Sequence, residues 1–261
     1  MIVAGVDIGS LTAKAVIMED DTILAAHVMR VRPDPEESAR DVMDQALSKA
    51  GIANDRIAYC IGTGYGRNHI PFAQAVESEI ACHARGAHWH HKGIRTVVDI
   101  GGQDAKAIRL DETGTIQRYA YNDKCASGTG RFLEIMGAAL GLDLETMGEL
   151  SLASRSPATL SNQCVVFAET EIVSLVNDGR ELSDIVSGLH KAMAHRVASL
   201  AKGIQMEPDV AFTGGVAKNP GMFKALEDAL GVSIVRLDAD PQINGALGAA
   251  ILARQAASQA G

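Results

Sequence analysis

Aromatic side chains are scarce: five Phe, four Tyr and one Trp make up 4% of 261 residues. Leu, Ile, Val and Ala must therefore do most of the packing. At 47% hydrophobic the chain can bury a large core, as one domain or two lobes. A basic excess is also missing. Lys plus Arg number 24 against 32 Asp plus Glu, a formal charge of −8. That balance disfavours nucleic acid and anionic membrane as general partners, because both reward a basic face; a local basic patch around phosphates stays open. No apolar run reaches the length of a transmembrane helix. Met1-Ile2-Val3-Ala4-Gly5 leads into a strand without a basic region or cleavage site, so no signal peptide is expected and the cytoplasm is the expected compartment. Cysteine is sparse too. Cys60, Cys82, Cys125 and Cys164 are too few and scattered for a disulfide scaffold, and without a Cys-x-x-Cys an ordinary single-chain zinc knuckle is not expected.

What is there, first of all, is a repeat. Residues 6–15 read VDIGSLTAKA and residues 98–107 read VDIGGQDAKA, identical at seven of ten positions with an offset of 92. Both copies continue alike, as strand, Gly turn, strand, polar turn and strand. Such a meander occurring twice points to duplication and two similar lobes. The expected fold is α/β, with an N-terminal lobe over 1–94 and a C-terminal lobe over 95–261, the last helix able to pack back on the first lobe. The pattern predicts helices over Asp34–Gly51, Glu77–His91, Gly130–Gly141, Val165–Asn177, Leu182–Gln205 and Gly245–Ala256, and a short strand over Asp209–Thr213.

A glycine turn lets backbone N–H groups approach phosphate oxygens with no Cβ in the way. The first turn carries Asp7, Gly9, Ser10, Thr12 and Lys14, adding two hydroxyls and an ammonium; the second carries Asp99, Gly101, Gly102, Gln103 and Asp104. Asp7 and Asp99 are hard oxygen ligands suited to Mg²⁺ through waters. A third element, Gly214, Gly215, Lys218 and Asn219, follows a strand, opens a helix and suits the adenosine or its α-phosphate. One such turn is weak evidence, because a hairpin needing positive φ explains it as well; two matched turns and a later Gly-Gly turn predict a nucleotide site. Together with the small-residue stretch Asn244-Gly245-Ala246-Leu247-Gly248-Ala249-Ala250, these motifs resemble the actin/heat-shock/sugar-kinase superfamily over essentially the whole chain. The resemblance implies ATP bound between duplicated ribonuclease-H-like lobes, and leaves kinase, chaperone, filament and motor ATPase open.

Cys125 sits in NDKCASGTGRFLE and Cys164 in SNQCVVFAETE. Turn-formers precede each and an amphipathic run follows, which places both thiols at or near helix N-termini, where free N–H groups and the dipole favour thiolate. Two assignments fit: small buried hydrophobes, or half the ligand set of a [4Fe–4S] cluster, whose four thiolates a symmetric dimer would complete. The local motifs go further. NDKCASGTGRFLE, CVVFAETEIVS, Gly64-Tyr65-Gly66-Arg67, SEIACHA and DIGGQDAK resemble the ATP-dependent activator component of 2-hydroxyacyl-CoA dehydratases and its sister ATPase subunits of benzoyl-CoA reductase. The resemblance implies an ATPase that is a homodimer, with one bridging, oxygen-sensitive [4Fe–4S] cluster held by Cys125 and Cys164. It implies electrons taken from ferredoxin or flavodoxin and given to a separate iron–sulfur dehydratase or reductase component. Leu11-Thr12 and Gln163-Cys164-Val165 depart from the family's pattern without removing a ligand, and leave the subgroup open.

In that mechanism Gln103 is expected to orient the attacking water, with Asp104 as the alternative. A small-molecule kinase would use Asp104 as base, yet would have no use for the cysteine pair; a chaperone-like switch would need a further domain. Cys60 and Cys82 are expected in the core. His88, Trp89, His90 and His91 are expected at a solvated helix end, since adjacent helical positions point apart. Arg67 fits either a partner contact or a structural turn. Glu169 and Glu171 fit a helix first turn, while Asp123 and Lys124 fit either helix capping or the field beside a cluster.

Overall fold

The computed structural model describes residues 1–160 and 164–260. The chain forms two units: Met1–Ile94 with Leu110–Ile116 and Leu237–Gly261, and Arg95–Arg109 with Gln117–Arg236.

The first unit is built on β1 (Ile2–Ile8), β2 (Thr12–Glu19) and β3 (Thr22–Arg30), followed by α1 (Pro35–Ala50), β4 (Tyr59–Thr63), β5 (Ala75–Val76) and α2 (Glu79–His90). In the second unit β6 (Thr96–Ile100), β7 (Ala105–Leu110) and β8 (Ile116–Asn122) lead to four helices, α3 (Gly130–Leu140), α4 (Leu144–Ala153), α5 (Val165–Asn177) and α6 (Leu182–Gly203). Then come β9 (Val210–Thr213), α7 (Pro220–Leu230), β10 (Ile234–Val235) and finally α8 (Asn244–Ala260), which belongs to the first unit. The sheets run β3-β2-β1-β4-β5 and β8-β7-β6-β9-β10. In each, the first strand pairs antiparallel with the second and parallel with the fourth. The repeat seen in ten residues of sequence is therefore a repeat of a whole five-stranded sheet.

Helix signals in the sequence act as expected. Asp34 caps α1 by accepting from Glu36 N at 2.8 Å, Pro35 opens it, Glu36 and Glu37 occupy its first turn, and Gly51 closes it in the left-handed region. Its stripe Ala39, Val42, Met43, Ala46 and Leu47 covers one face of the first sheet, against Ala4, Val6 and Ile8. On the other face Val3, Val16 and Ile61 pack against Ala246, Leu247, Ala249 and Ala250 of α8. With both faces covered, β1 reads as a continuous apolar run rather than an alternating one. Helix α4 has no counterpart in the sequence reading: its first residues follow Gly141-Leu142 closely, and its apolar signal merges with that of α3.

Packing of α8 depends on its small residues. A Cβ on Gly248 would lie 1.8 Å from the carbonyl oxygen of Cys82 on α2, so the two backbones touch directly. Gly248→Val should cost about 3 kcal/mol or more through overpacking; an unchanged urea midpoint would show that α2 and α8 separate freely.

One correction concerns the end of α2. His91 is exposed, but His88 is only 7% exposed and His90 is half-buried. The turn at Gly114 lies against the His88 ring, and burial holds both imidazoles below the usual histidine range. The expectation of a solvated end holds for His91 and fails for His88, because the turn at Gly114 covers that ring.

In the second unit α4, α6 and α7 pack together around His190, which is completely buried. Neither ring nitrogen has a hydrogen-bond partner among the described residues, and burial pushes the imidazole down to about 4. The unfolded chain binds this proton near pH 6.5, whereas the folded chain refuses it until about 4. Stability from this group is thus full above pH 6.5 and is lost as pH falls through the window, by up to ~3 kcal/mol. In urea titrations from pH 7 to pH 4, His190→Leu should lose less stability than wild type; equal losses would contradict the assignment.

Candidate functional site

Each unit places an aspartate at the end of its first strand, directly across the turn from a lysine. Asp7 pairs with Lys14 in the β1–β2 register, and Asp99 with Lys106 in the β6–β7 register. The parallel neighbour completes the match: Asp7 stands beside Thr63 at the end of β4, and Asp99 beside Thr213 at the end of β9. A glycine follows each threonine, with φ of +92° at Gly64 and +89° at Gly214. A Cβ on Gly64 would lie 2.4 Å from Ile8 O, and one on Gly214 2.3 Å from Ile100 O. Positive φ and this closeness restrict both positions to glycine. Gly64 and Gly214 are thus equivalent residues of the duplication, which the sequence reading did not connect.

In the first unit Lys14 Nζ donates to Asp7 Oδ2 at 3.1 Å, and Asp7 is 5% exposed. Its Oδ1 has no hydrogen-bond partner among the described residues. The turn is closed by Gly9 N donating to Thr12 O at 3.0 Å, with Ser10 and Thr12 half-buried on it. Gly66 N donates to Ile8 O at 2.8 Å and Arg67 Nη1 to Gly64 O at 3.1 Å. The Gly-Tyr-Gly-Arg segment is therefore a buttress of the Asp7 turn, and Arg67 is part of it. Asn244 and Gly245 arrive from α8. A Cβ on Gly245 would lie 2.9 Å from Asp7 Oδ2 and 3.1 Å from His83 Nε2, and Asn244 Nδ2 donates to His83 O at 3.0 Å. His83, buried beside the site, was missed because one histidine on an apolar helix gives no signal of its own.

In the second unit Thr213 Oγ1 donates to Asp99 Oδ1 at 2.8 Å and Lys106 Nζ to Asp99 Oδ2 at 3.4 Å. Lys106 also pairs with Asp104, and both are buried. Gln103 is exposed, while Gly101 and Gly102 are half-buried. Lys106 was legible as the repeat-mate of Lys14, at the same offset of 92. Gly215 and Lys218 are exposed. Asn219 is buried: it caps α7 by accepting from Met222 N at 2.9 Å and donates to Leu144 O at 2.8 Å, tying α4 to α7.

The Cys125 loop is attached to this second turn. Gly130 N donates to Gly101 O and Arg131 N to Gly102 O, both at 2.8 Å, so the first N–H groups of α3 are satisfied by the turn itself. Asn122 Nδ2 donates to Cys125 O at 2.8 Å, and Cys125 Sγ meets Ser127 Oγ at 3.1 Å. The Ser127 hydroxyl, assisted by the Ser127 backbone N–H and the Arg196 guanidinium, holds the Cys125 thiol below the ordinary range. Cys164 is exposed and is the N-cap residue of α5, which packs against α3; Ser161, Asn162 and Gln163 before it lie outside the described residues. By contrast Cys60 and Cys82 are buried, and burial pushes each thiol up to about 12. The four cysteines fall into two chemically distinct pairs.

Two meanders, each with an aspartate at the end of its first strand crowded by a positive-φ glycine, define an ATPase of the actin-like fold. A ROK-family glucokinase from Streptomyces griseus shares that fold alone, with a TM-score of 0.61 and 15% identity over 98% of this chain and 100% of that one. The chain belongs to the BadF/BadG/BcrA/BcrD ATPase family, whose sequence profile matches residues 4–253. It is 42% identical to the activator of lactoyl-CoA dehydratase of Anaerotignum propionicum, across 99% of this chain and 100% of that protein. It also matches the structure of the activator of the 2-hydroxyisocaproyl-CoA dehydratase from Clostridium difficile with bound ADPNP. The TM-score is 0.95 and the identity 38%, covering 100% of this chain and 97% of that one.

Iodoacetamide should label Cys164 and Cys125 of the native, chelator-treated protein and spare Cys60 and Cys82 until denaturant is added, as peptide mass spectrometry would show. Labelling of Cys60 or Cys82 at a comparable rate would contradict the division.

Proposed function

We propose that this protein is the cytoplasmic, ATP-dependent activator of a 2-hydroxyacyl-CoA dehydratase. Two copies hold one [4Fe–4S] cluster between them and pass single electrons from ferredoxin or flavodoxin to the iron–sulfur dehydratase. The observation that carries the reading is the attachment of the Cys125 loop to the second carboxylate turn by two backbone hydrogen bonds. It ties the turn to the start of the helix that follows the thiol-bearing loop.

The donor set suits the cluster. Among the described residues no group of three or more His, Cys, Asp and Glu side chains could hold a metal ion. Two accessible thiols per chain make four in a homodimer, the number such a cluster takes. A second copy also has a surface to cover. Helix α5 buries only Ala168 and Ile172, while Val166 (67%), Phe167 (60%), Val173 and Val176 are exposed. An apolar face of this kind beside Cys164 favours a protein partner. When bound, the cluster supplies a one-electron carrier whose potential depends on nearby charge and hydrogen bonds.

For the nucleotide, we assign phosphate binding to the glycine turns. Backbone N–H groups of Ser10 and Gly102 face phosphate oxygens, assisted by Thr12 and Lys14, while Gly9 and Gly101 close the two turns through their own N–H groups and let the phosphate approach without a Cβ. Gly214, Gly215, Lys218 and Asn219 serve the adenosine or its α-phosphate, and Asn244 and Gly245 close in on the Asp7 turn from α8. Asp7 suits Mg²⁺: a buried carboxylate oxygen without a partner is costly, and a hydrated cation would satisfy it. Asp99, whose oxygens are held by Thr213 and Lys106, is the second acidic candidate for Mg²⁺ through waters. Gln103 orients the attacking water. The turn then carries a dual load, phosphate on the Gly102 N–H and α3 on the Gly101 and Gly102 carbonyls. Any shift of that turn on ATP binding moves the start of α3 and the Cys125 loop with it.

Protein purified without oxygen should contain about four irons and four sulfides per dimer, with Cys125→Ser and Cys164→Ser each losing them and their visible absorption. Transfer of electrons to the dehydratase should then require ATP. Wild-type protein that binds ATP as an iron-free monomer after attempted reconstitution would overturn the reading and bring small-molecule kinase substrates forward.

A further inference from the structure

The two turns are equivalent in backbone but not in charge. Thr12 of the first copy corresponds to Asp104 of the second. In the first turn Lys14 meets one carboxylate, Asp7, whose Oδ1 is left without a partner because Thr63 Oγ1 donates elsewhere, to Glu77 O at 3.0 Å. In the second turn Lys106 meets two. Its side chain is 5% exposed and pairs with both Asp99 and Asp104, and the Thr213 hydroxyl takes the other oxygen of Asp99. The backbone reinforces this, since Gly101 N donates to Asp104 O at 2.9 Å. Asp104 is 8% exposed, whereas its neighbour Gln103 is exposed.

We propose that Lys106 is the positioning residue of the second turn: it draws the Asp104 and Asp99 carboxylates inward into one buried triad and so leaves Gln103 as the side chain that faces the attacking water. The inference rests on the ATPase reading above and decides between the two residues that could position that water. A buried lysine between two aspartates is held by both, and removing it leaves two like charges side by side in a buried place. Asp104 would then swing outward, and the turn that aims Gln103 would lose its anchor. Removing Asp104 together with Lys106 brings the triad back to its original net charge of −1, because one positive and one negative group leave together. The coupling is therefore readable as non-additivity.

The experiment is a cycle of Lys106→Met, Asp104→Asn and the double variant, alongside Gln103→Ala and Lys106→Arg. It is read by urea midpoint, by the dissociation constant of magnesium ADPNP and by steady-state ATP turnover. Lys106→Met should lower the midpoint sharply, and Asp104→Asn added to it should recover about half of the loss or more. Lys106→Met should lower kcat about tenfold while affinity for the analogue moves less than about threefold, and Lys106→Arg should restore most of the turnover. Gln103→Ala should cost kcat about tenfold more than Asp104→Asn. An additive cycle would overturn the triad. A loss of kcat in Asp104→Asn as large as in Gln103→Ala would overturn the assignment of the water to Gln103. Wild type that binds but never turns over ATP, even with a dehydratase present, would defeat the ATPase reading, and with it the role of Gln103; the denaturation cycle would still decide whether Lys106 binds the two carboxylates.

Discussion

Everything near the candidate site is arranged around the approach of bare backbone to one carboxylate in each unit. Asp7 and Asp99 end their strands opposite a lysine, and a glycine of positive φ from the parallel neighbour crowds each of them. That crowding fixes the order of elements. The first strand must be central so that a hairpin partner can lie on one side and a parallel partner on the other, which is the observed strand order in both sheets. Central strands are covered on both faces, and in the first unit α1 and α8 supply the covers. The small residues of α8 follow from the same demand, because Gly245 reaches the carboxylate only if the helix start comes close to it.

The carboxylate–lysine pairs are poor sources of net stability in themselves. A buried ion pair roughly breaks even against desolvation, whereas removing one partner costs about 3–5 kcal/mol. Their effect is to forbid alternatives. With Lys14 drawn onto Asp7 and Lys106 onto Asp99, neither turn can open without stranding a charge, so the turn N–H groups hold one arrangement. The second unit uses this rigidity twice. Its turn presents N–H groups on one side and lends the Gly101 and Gly102 carbonyls to the first N–H groups of α3. Those donors would otherwise need a side-chain cap, and Thr129 provides none.

Much of this was legible in the residues. The ten-residue repeat announced two similar sheets, and the helix expected over Asp34–Gly51 is α1 with one cap residue at each end. The division between accessible and buried cysteines also agrees with the expectation that Cys60 and Cys82 are core residues. The second half of the duplication was not legible. Thr63-Gly64 and Thr213-Gly214 share two residues in different surroundings, IGTGYG and FTGGVA, and only the shared backbone shape shows them to be equivalent. Local periodicity is likewise blind to what covers a helix end. His88 looked solvated because the turn that covers it, at Gly114, lies further along the chain. His83 and Lys106 were overlooked for different reasons. The histidine gains its place only from its neighbours in space, while the lysine was visible in the repeat but was given no task.

The divergence of the two turns bears on why a fold shared with sugar kinases would serve electron transfer. A kinase needs a carboxylate free to take a proton from its acceptor, and Asp104 stands where such a base would be sought. Here that carboxylate is paired with Lys106, and the exposed side chain at the turn is a glutamine, a weaker proton acceptor. Such a site suits slow hydrolysis paced by a conformational step better than rapid transfer to a small acceptor. The carbonyl side of the same turn carries α3 and, through it, the loop of an accessible thiol. Chemistry is restrained on one side of the turn while a mechanical connection is made on the other. On the function proposed above the two features belong together, because a nucleotide hydrolysed too readily could not hold the turn in one arrangement long enough for an electron to pass.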